Sequence, residues 1–444
     1  MSRRSALLLS FYELGHQPLG LALPLAFLER AGLPARGIDL SVETLDGDAV
    51  GGADFIGVSV PMHTALGMAL DLLPRLRSLN PRAHISFYGL YATLNAELLL
   101  SSGASSVLSG EHEEELVALA RGATPGGSAP VLTRLRFPVP ARGGLPSLDR
   151  YARLELGDGT SKNAGAVETT RGCLHLCRHC PIPPIYRGRF FVIPEQTVLA
   201  DVRQLVEAGA GHIDFADPDF LNGPRHALSV ARALHREFPR LTFNFTAKIE
   251  HLVAHPRALR ELSELGCLFI VSAVESLSDR VLRELDKGHD RNDVFEALEA
   301  LREAGIALRP TFVPFTPWTT RKDYEEIIQW LARESLVDHV DAVQLTLRLL
   351  IPPGSLLLEN ESLEPHLGEL DPRALTYRWI HPDPEMDRLQ EKASALVEEG
   401  VARGRSNHAL FHDLAELAAL GDVGGEEFLA TPTRPPRLSE AWFC

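Results

Sequence analysis

Thr170-Arg171-Gly172-Cys173-Leu174-His175-Leu176-Cys177-Arg178-His179-Cys180-Pro181 sets three thiols at the spacing C-x3-C-x2-C, directly after an apolar run near 166–170 that reads as a strand. A loop leaving the C-terminal end of a strand, at the head of a βα series, is where an α/β barrel keeps its chemistry. Three thiolates on one short loop can ligate three irons of a cubane cluster and leave the fourth iron open to an outside ligand. Zinc is the competing use. It would need His175 or His179 as a fourth ligand, because no second Cys pair exists.

Downstream of this loop, strand-like runs recur near 212–216, 241–247, 268–272, 307–313 and 341–347, with helical patterns near 195–209, 225–238, 257–265, 291–304 and 322–334. With the strand at 166–170 these make six βα units, which predict an open, TIM-like partial (β/α)6 barrel over 165–350. Upstream, 125–164 is rich in Gly, Pro and Arg and reads as a linker. Residues 1–124 again alternate apolar strands (Ala6–Phe11, Ile38–Val42, Phe55–Val60, Ile85–Tyr88, Val107–Ser109) with helices near 18–31, 64–78, 93–101 and 111–121. This predicts a doubly wound parallel sheet. The remaining segment, 351–444, loses the rhythm and holds helices near 384–404 and 408–419, so a small, mostly helical C-terminal extension is expected. The fold class is α/β.

Composition narrows the function. Apolar residues at 45% and charged residues at 23% suit a folded globular chain, and no run approaches the roughly 18 apolar residues of a membrane helix. The basic start Met1-Ser2-Arg3-Arg4 precedes an apolar stretch too short for a signal sequence. A net charge of −15 without a basic patch argues against nucleic acid and for a small-molecule or peptide substrate. Five cysteines, three of them within eight positions, point to metal in a reducing cytoplasm and away from a disulfide framework.

The cysteine motif, in spacing and position, resembles that of the radical S-adenosylmethionine (radical SAM) superfamily. The resemblance covers roughly 165–350. It implies that Cys173, Cys177 and Cys180 hold a 4Fe-4S cluster whose open iron binds SAM by its amino and carboxylate groups. An electron from a flavodoxin or ferredoxin-type donor then cleaves SAM to a 5′-deoxyadenosyl radical. His179 stands where many members have an aromatic residue. Phe215-Ala216-Asp217-Pro218-Asp219-Phe220 ends the second strand, where the family contacts the SAM amino group, so Asp217 and Asp219 are candidates; helix capping is the competing reading. Lys248 stands where relatives place a cation, usually Arg, near the SAM carboxylate. Val274-Glu275-Ser276-Leu277-Ser278, followed by Leu282, Leu285, Lys287 and Gly288, matches the fourth-strand signature, in which Glu275 would accept the ribose hydroxyls; a structural salt bridge is the alternative. Arg309 offers a polar contact from the fifth strand or a solvated junction. Cys267, alone in an apolar strand start, reads as a small hydrophobe.

The first domain resembles the cobalamin-binding domain that precedes many radical SAM barrels, on Pro18-Leu19-Gly20-Leu21, Ala53–Ser59 and Ser109-Gly110-Glu111-His112-Glu113-Glu114. Cobalamin is therefore an open third cofactor. The D-x-H-x-x-G pattern is absent, so His16 is not expected to be its ligand. In Tyr88-Gly89-Leu90-Tyr91, two bulky residues replace the adjacent glycines of relatives.

Leu347–Ser355 and Tyr377–Pro384 resemble a narrower group whose tail reads Cys-Sec-Ala-Glu-Pro or Cys-Cys-Ala-Glu-Pro. The sequence stops at Trp442-Phe443-Cys444, one residue before that selenocysteine. Cys444 is therefore expected to be followed by a UGA codon and to belong to a vicinal redox pair. Arg348, His381 and Asp383 are cavity candidates or turn-forming residues. The expected function is radical modification of a small molecule or peptide. The alternatives are transfer of an aminocarboxypropyl group to a soft acceptor such as trivalent arsenic, and a non-catalytic iron–sulfur protein.

Overall fold

The structure, a computed structural model, describes residues 4–419 and 434–439; Cys444 lies outside them. The first domain runs β1 (Ala6–Ser10), α1 (Leu19–Arg30), β2 (Ala35–Asp39), α2 (Gly47–Gly52), β3 (Phe55–Ser59), α3 (His63–Leu79), β4 (His84–Tyr88), α4 (Leu90–Leu94), α5 (Ala96–Ser101), β5 (Ser106–Leu108) and α6 (Glu113–Ala120). Its five strands are parallel in the order β2-β1-β3-β4-β5, the flavodoxin-like doubly wound order. Successive residues of β1 alternate between two apolar layers: Leu7 and Leu9 face one, Ala6 and Leu8 the other. Both faces are covered, which is why these strands read as continuous apolar runs.

The second sheet begins inside the segment read as a linker. β6 (Arg153–Glu155) and β7 (Ser161–Val167) pair antiparallel, and β8 (Thr170–Gly172) leads into the cysteine loop. The series continues through α7 (Pro183–Tyr186), β9 (Phe190–Val192), α8 (Glu195–Glu207), β10 (Ala210–Phe215), α9 (Pro224–Glu237), β11 (Thr242–Thr246), α10 (Ile249–Ala254), α11 (Pro256–Glu264), β12 (Cys267–Glu275), α12 (Asp279–Glu284), α13 (Arg291–Ala304), β13 (Ala307–Phe312) and α14 (Arg321–Arg333). Strands β7, β10, β11, β12 and β13 are parallel neighbours, giving the partial barrel. Ile213, Phe243, Ile270 and Leu308 from these strands share one core with Val202, Leu234, Leu259 and Leu301 from the helices.

The sixth strand expected at 341–347 does not form. Ala342–Thr346 is a 3-10 turn, followed only by an isolated bridge between Phe315 and Arg348. Side chains replace the ladder: Gln344 Oε1 accepts the Phe312 N–H of the edge strand at 3.3 Å, and Asn407 Oδ1 accepts from Ala342 N at 2.8 Å. The chain ends with a hairpin, β14 (Leu367–Asp371) and β15 (Thr376–Trp379), then α15 (Pro384–Ala402), α16 (Asn407–Leu417) and β16 (Arg437–Leu438), which pairs with β6. Helices α15 and α16 pack Leu389, Val397, Phe411 and Leu414 into the barrel core. Among the described residues no helix is long and apolar enough to cross a membrane.

Arg142, in the irregular stretch between the sheets, joins the two domains. Its buried guanidinium donates to Asp201 Oδ1 and Oδ2 at 2.6 and 2.7 Å, to Gln17 Oε1 at 2.9 Å and to the Ala166 carbonyl at 2.7 Å. Removing one partner of a buried ion pair strands the other charge. Arg142→Met is expected to destabilise the protein by roughly 3–5 kcal/mol in denaturant unfolding; a change within experimental error would show that the clamp contributes nothing.

Candidate functional site

Both sheets direct the C-terminal ends of their strands at one open cavity of about 330 Å³. The first domain contributes Glu13, Ser59, Tyr88 and His112 to its wall; the barrel contributes Glu168, Arg171, Tyr186 and Asp217. A crevice at the carboxyl ends of parallel strands is the expected ligand position in both architectures.

The cysteine loop borders this space. Gly172, in the cavity wall, precedes Cys173; Cys173 and Cys177 are buried and Cys180 is half-buried. Backbone bonds hold the loop: Cys180 N donates to Cys177 O at 3.2 Å, Arg178 N to Leu285 O at 2.9 Å, and Ser355 Oγ to Arg178 O at 3.2 Å. The C-terminal extension thus fastens the cysteine loop. Burial pushes the Cys173 thiol up, and the Cys180 thiol up to about 12. Three soft donors on one loop suit a cationic iron cluster, which would hold them as thiolates.

Gly172 is needed here for two reasons. Its φ is +77°, and a Cβ would lie 2.4 Å from the Arg189 carbonyl oxygen and 2.6 Å from the Tyr186 ring. Gly172→Ala should therefore shift the loop, costing more than about 1 kcal/mol and lowering iron incorporation on reconstitution. Wild-type iron content in this variant would refute the argument.

Glu275 ends β12 with φ +64°, a left-handed conformation that is strained in a non-glycine residue. The bend directs its buried carboxylate toward the cysteine loop, where Oε1 lies 3.1 Å from His179 Nε2 and 3.5 Å from Lys287 Nζ. Burial opposes ionisation, but the charges of Lys287 and His179 outweigh it and bring the carboxyl down to about 2. His179, the residue before the third cysteine, is therefore a direct link between loop and carboxylate.

The other expected residues separate. Lys248 caps the start of α10 and pairs with Glu250 at 3.2 Å. Asp217 reaches the cavity wall but accepts from Thr169 N, Thr169 Oγ1 and Thr170 Oγ1, each at 2.6 Å; burial still raises it to about 7. Asp219 turns inward, accepting from Leu221 N at 3.1 Å and lying 2.8 Å from His251 Nδ1. Arg309 lines a separate, smaller pocket beside Asp341 and Leu438, 3.8 Å from the Asp341 carboxylate. Arg348 stacks 3.5 Å over Trp379 and bonds Asp387, His381 reaches the Thr319 carbonyl, and Asp383 caps α15. These three organise the C-terminal hairpin and helix, and none lines the shared cavity.

Several cavity groups have no sequence signal. Glu13 accepts from Leu19 N and Gly20 N at the start of α1, and burial raises it to about 7. Arg171 bonds Glu113 and, at 3.0 Å, Glu168. Tyr186 donates to Glu111 at 3.0 Å. His16 Nε2 lies 2.9 Å from Asp214 Oδ2. The pairs Arg171–Glu113, Tyr186–Glu111 and His16–Asp214 join residues far apart in the chain, so no local pattern announces them.

The family model described as the radical SAM superfamily matches residues 167–331. The hopanoid C-3 methylase of Methylococcus capsulatus is 25% identical over 335 residues, covering 71% of this chain and 64% of that protein. The ribosomal protein uS12 methylthiotransferase RimO of Chlorobium limicola is 25% identical over 175 residues, 37% of this chain and 40% of that one. The chain thus spans less than two thirds of the length of these curated relatives. In fold it is similar to the cobalamin-dependent SAM radical enzyme OxsB, solved with aqua-cobalamin and SAM bound (TM-score 0.70, 15% identity, 90% of this chain and 67% of that one). It is also similar to the radical SAM methyltransferase TsrM of Kitasatospora setae (TM-score 0.61, 17% identity, 76% and 73%).

Proposed function

We propose that this chain, whose residues 167–331 match the radical SAM superfamily, modifies a small molecule or peptide held between its two domains. One observation carries the reading: three thiols on one loop face a buried, ionised carboxylate, Glu275, with His179 bridging loop and strand. Cys173, Cys177 and Cys180 would hold a 4Fe-4S cluster, which when bound supplies the electron for reductive cleavage of SAM. Glu275, kept ionised, would accept hydrogen bonds from the ribose hydroxyls, and Lys287 and His179 fix its direction. Lys248 would offer its ammonium to the SAM carboxylate. The substrate would enter the shared cavity, whose walls from both domains shield the reacting atoms from water.

Cobalamin would rest as a further ligand against the apolar patches at Leu14, Pro61, Met62 and Leu90. His16 would not be its ligand, because its Nε2 is engaged by Asp214.

The test is anaerobic reconstitution with iron and sulfide, followed by SAM and dithionite. The expected result is about four irons per chain and 5′-deoxyadenosine or a methyl-transfer product by mass spectrometry. Release of an aminocarboxypropyl product would instead support the alternative cleavage, and intact SAM with zinc in place of iron would remove the proposal.

A further inference from the structure

His175 of the cysteine loop, Asp219 and His251 come from three successive βα connections and meet at one point. His175 lies between Cys173 and Cys177, Asp219 follows β10, and His251 is in α10. One ligand-capable atom from each lies within 4.8 Å of the other two. His175 Nε2 is 3.3 Å from His251 Nε2 and 3.8 Å from Asp219 Oδ2, and His251 Nδ1 is 2.8 Å from that same oxygen.

The last contact is the informative one. Despite the 2.8 Å separation, Asp219 Oδ2 and His251 Nδ1 are both buried without a hydrogen-bond partner. The two atoms are close, but the proton direction of the ring does not point at the oxygen. A buried carboxylate oxygen and a buried imidazole nitrogen left this way are costly, because each has lost water without gaining a bond. Two ligands pointing at a common third point have this relationship. An ion takes one nitrogen from each ring, and Nδ1 is the nitrogen of His251 beside Asp219; tetrahedral metal bonds of about 2.0–2.2 Å set ligand atoms roughly 3.3–3.6 Å apart, inside the 4.8 Å that spans the three ligand atoms here.

The surroundings agree. Asp219 Oδ1 accepts the Leu221 N–H, which fixes the carboxylate and leaves Oδ2 available. On the other side of the His175 ring, Nδ1 faces Glu250 Oε2 at 3.6 Å, and Glu250 is held by Lys248 at 3.2 Å. A carboxylate behind a ligating imidazole is the usual orienting partner at a metal site.

We infer that His175, Asp219 and His251 form a second metal site, separate from the cysteines, that takes one divalent transition-metal ion of the zinc class through two imidazoles and one carboxylate. The ligand set suits zinc, and three protein ligands leave one position to water. Bound there, the ion ties the cysteine loop to the ends of β10 and β11.

The experiment uses the full chain with its cluster already reconstituted, equilibrated anaerobically with Zn2+ alone. Metal analysis should find one zinc per chain beyond the iron, and zinc-edge X-ray absorption should show a nitrogen and oxygen shell without sulfur. Asp219→Asn and His251→Ala should each weaken zinc binding by no less than about tenfold while keeping their iron. Asp219→Asn keeps the side-chain shape and the bond to Leu221, so it decides the matter should His251→Ala lose its fold. Failure to retain zinc, sulfur in the zinc shell, or undiminished binding in Asp219→Asn would overturn the site.

Discussion

Replacing Cys173, Cys177 and Cys180 together with alanine is expected to abolish SAM cleavage and to leave protein that takes up no iron under conditions where the wild type takes up about four per chain. The loss should be total, because no other thiol among the described residues can substitute. Cys267, the remaining cysteine among the described residues, is buried in the core at the start of β12, and burial holds its thiol far above the usual range. The fold should survive, since Cys180 N, Arg178 N and the Ser355 hydroxyl hold the loop independently of the sulfurs, of which Cys173 adds contacts to His175 N at 3.5 Å and Asn222 Oδ1 at 3.7 Å. Iron analysis, visible absorption and product analysis report the result, with circular dichroism as the control. Residual turnover above that of free cluster would show that the cysteines are not the cluster ligands.

Glu275→Gln should keep its iron and bind SAM more weakly by about 1.5–3 kcal/mol, the worth of a charge-assisted hydrogen bond, or roughly 10- to 150-fold in affinity. The same substitution has a structural signature. In the native chain the folded carboxyl is drawn down to about 2 from an ordinary 4.5, because the charges of Lys287 and His179 outweigh burial. The stabilisation from its ionised form is therefore fully present above about pH 4.5 and is lost as pH falls from there toward about 2. Glu275→Gln should lack this acid dependence and should be less stable at neutral pH, where Lys287 is left buried without its counter-charge. Titration with SAM and acid unfolding separate the two roles. Unchanged SAM affinity alongside a changed acid profile would make Glu275 a structural residue only.

The cysteine loop was legible from sequence because all three donors lie within eight residues, where spacing alone sets their geometry. The two βα series were legible for a similar reason, since strands buried on both faces leave unbroken apolar runs such as Ala6–Ser10. The sixth strand misled for that same reason. Ala342–Thr346 is as apolar and buried as a strand, yet side-chain bonds from Gln344 and Asn407, the latter more than 60 residues away in the sequence, settle its backbone. Asp219 shows the limit for the site. Its position after the second barrel strand was readable, but its partner His251 lies 32 residues further on and meets it only when β10 and β11 lie side by side. Arg142 was invisible as a functional group because it acts through partners brought together by the fold.

The guanidinium of Arg142 answers at once to Gln17 in the first domain and to Asp201 and Ala166 in the barrel. The two halves are consequently not interchangeable parts. A chimera that grafts a foreign first domain onto this barrel must bring a residue able to meet Arg142 where Gln17 stands. One that cuts the chain before residue 142 and discards the first domain keeps the charge but loses Gln17. Recombination between relatives would then be tolerated where Gln17, Arg142 and Asp201 travel together, and inheritance of that trio sets which exchanges yield a folded enzyme.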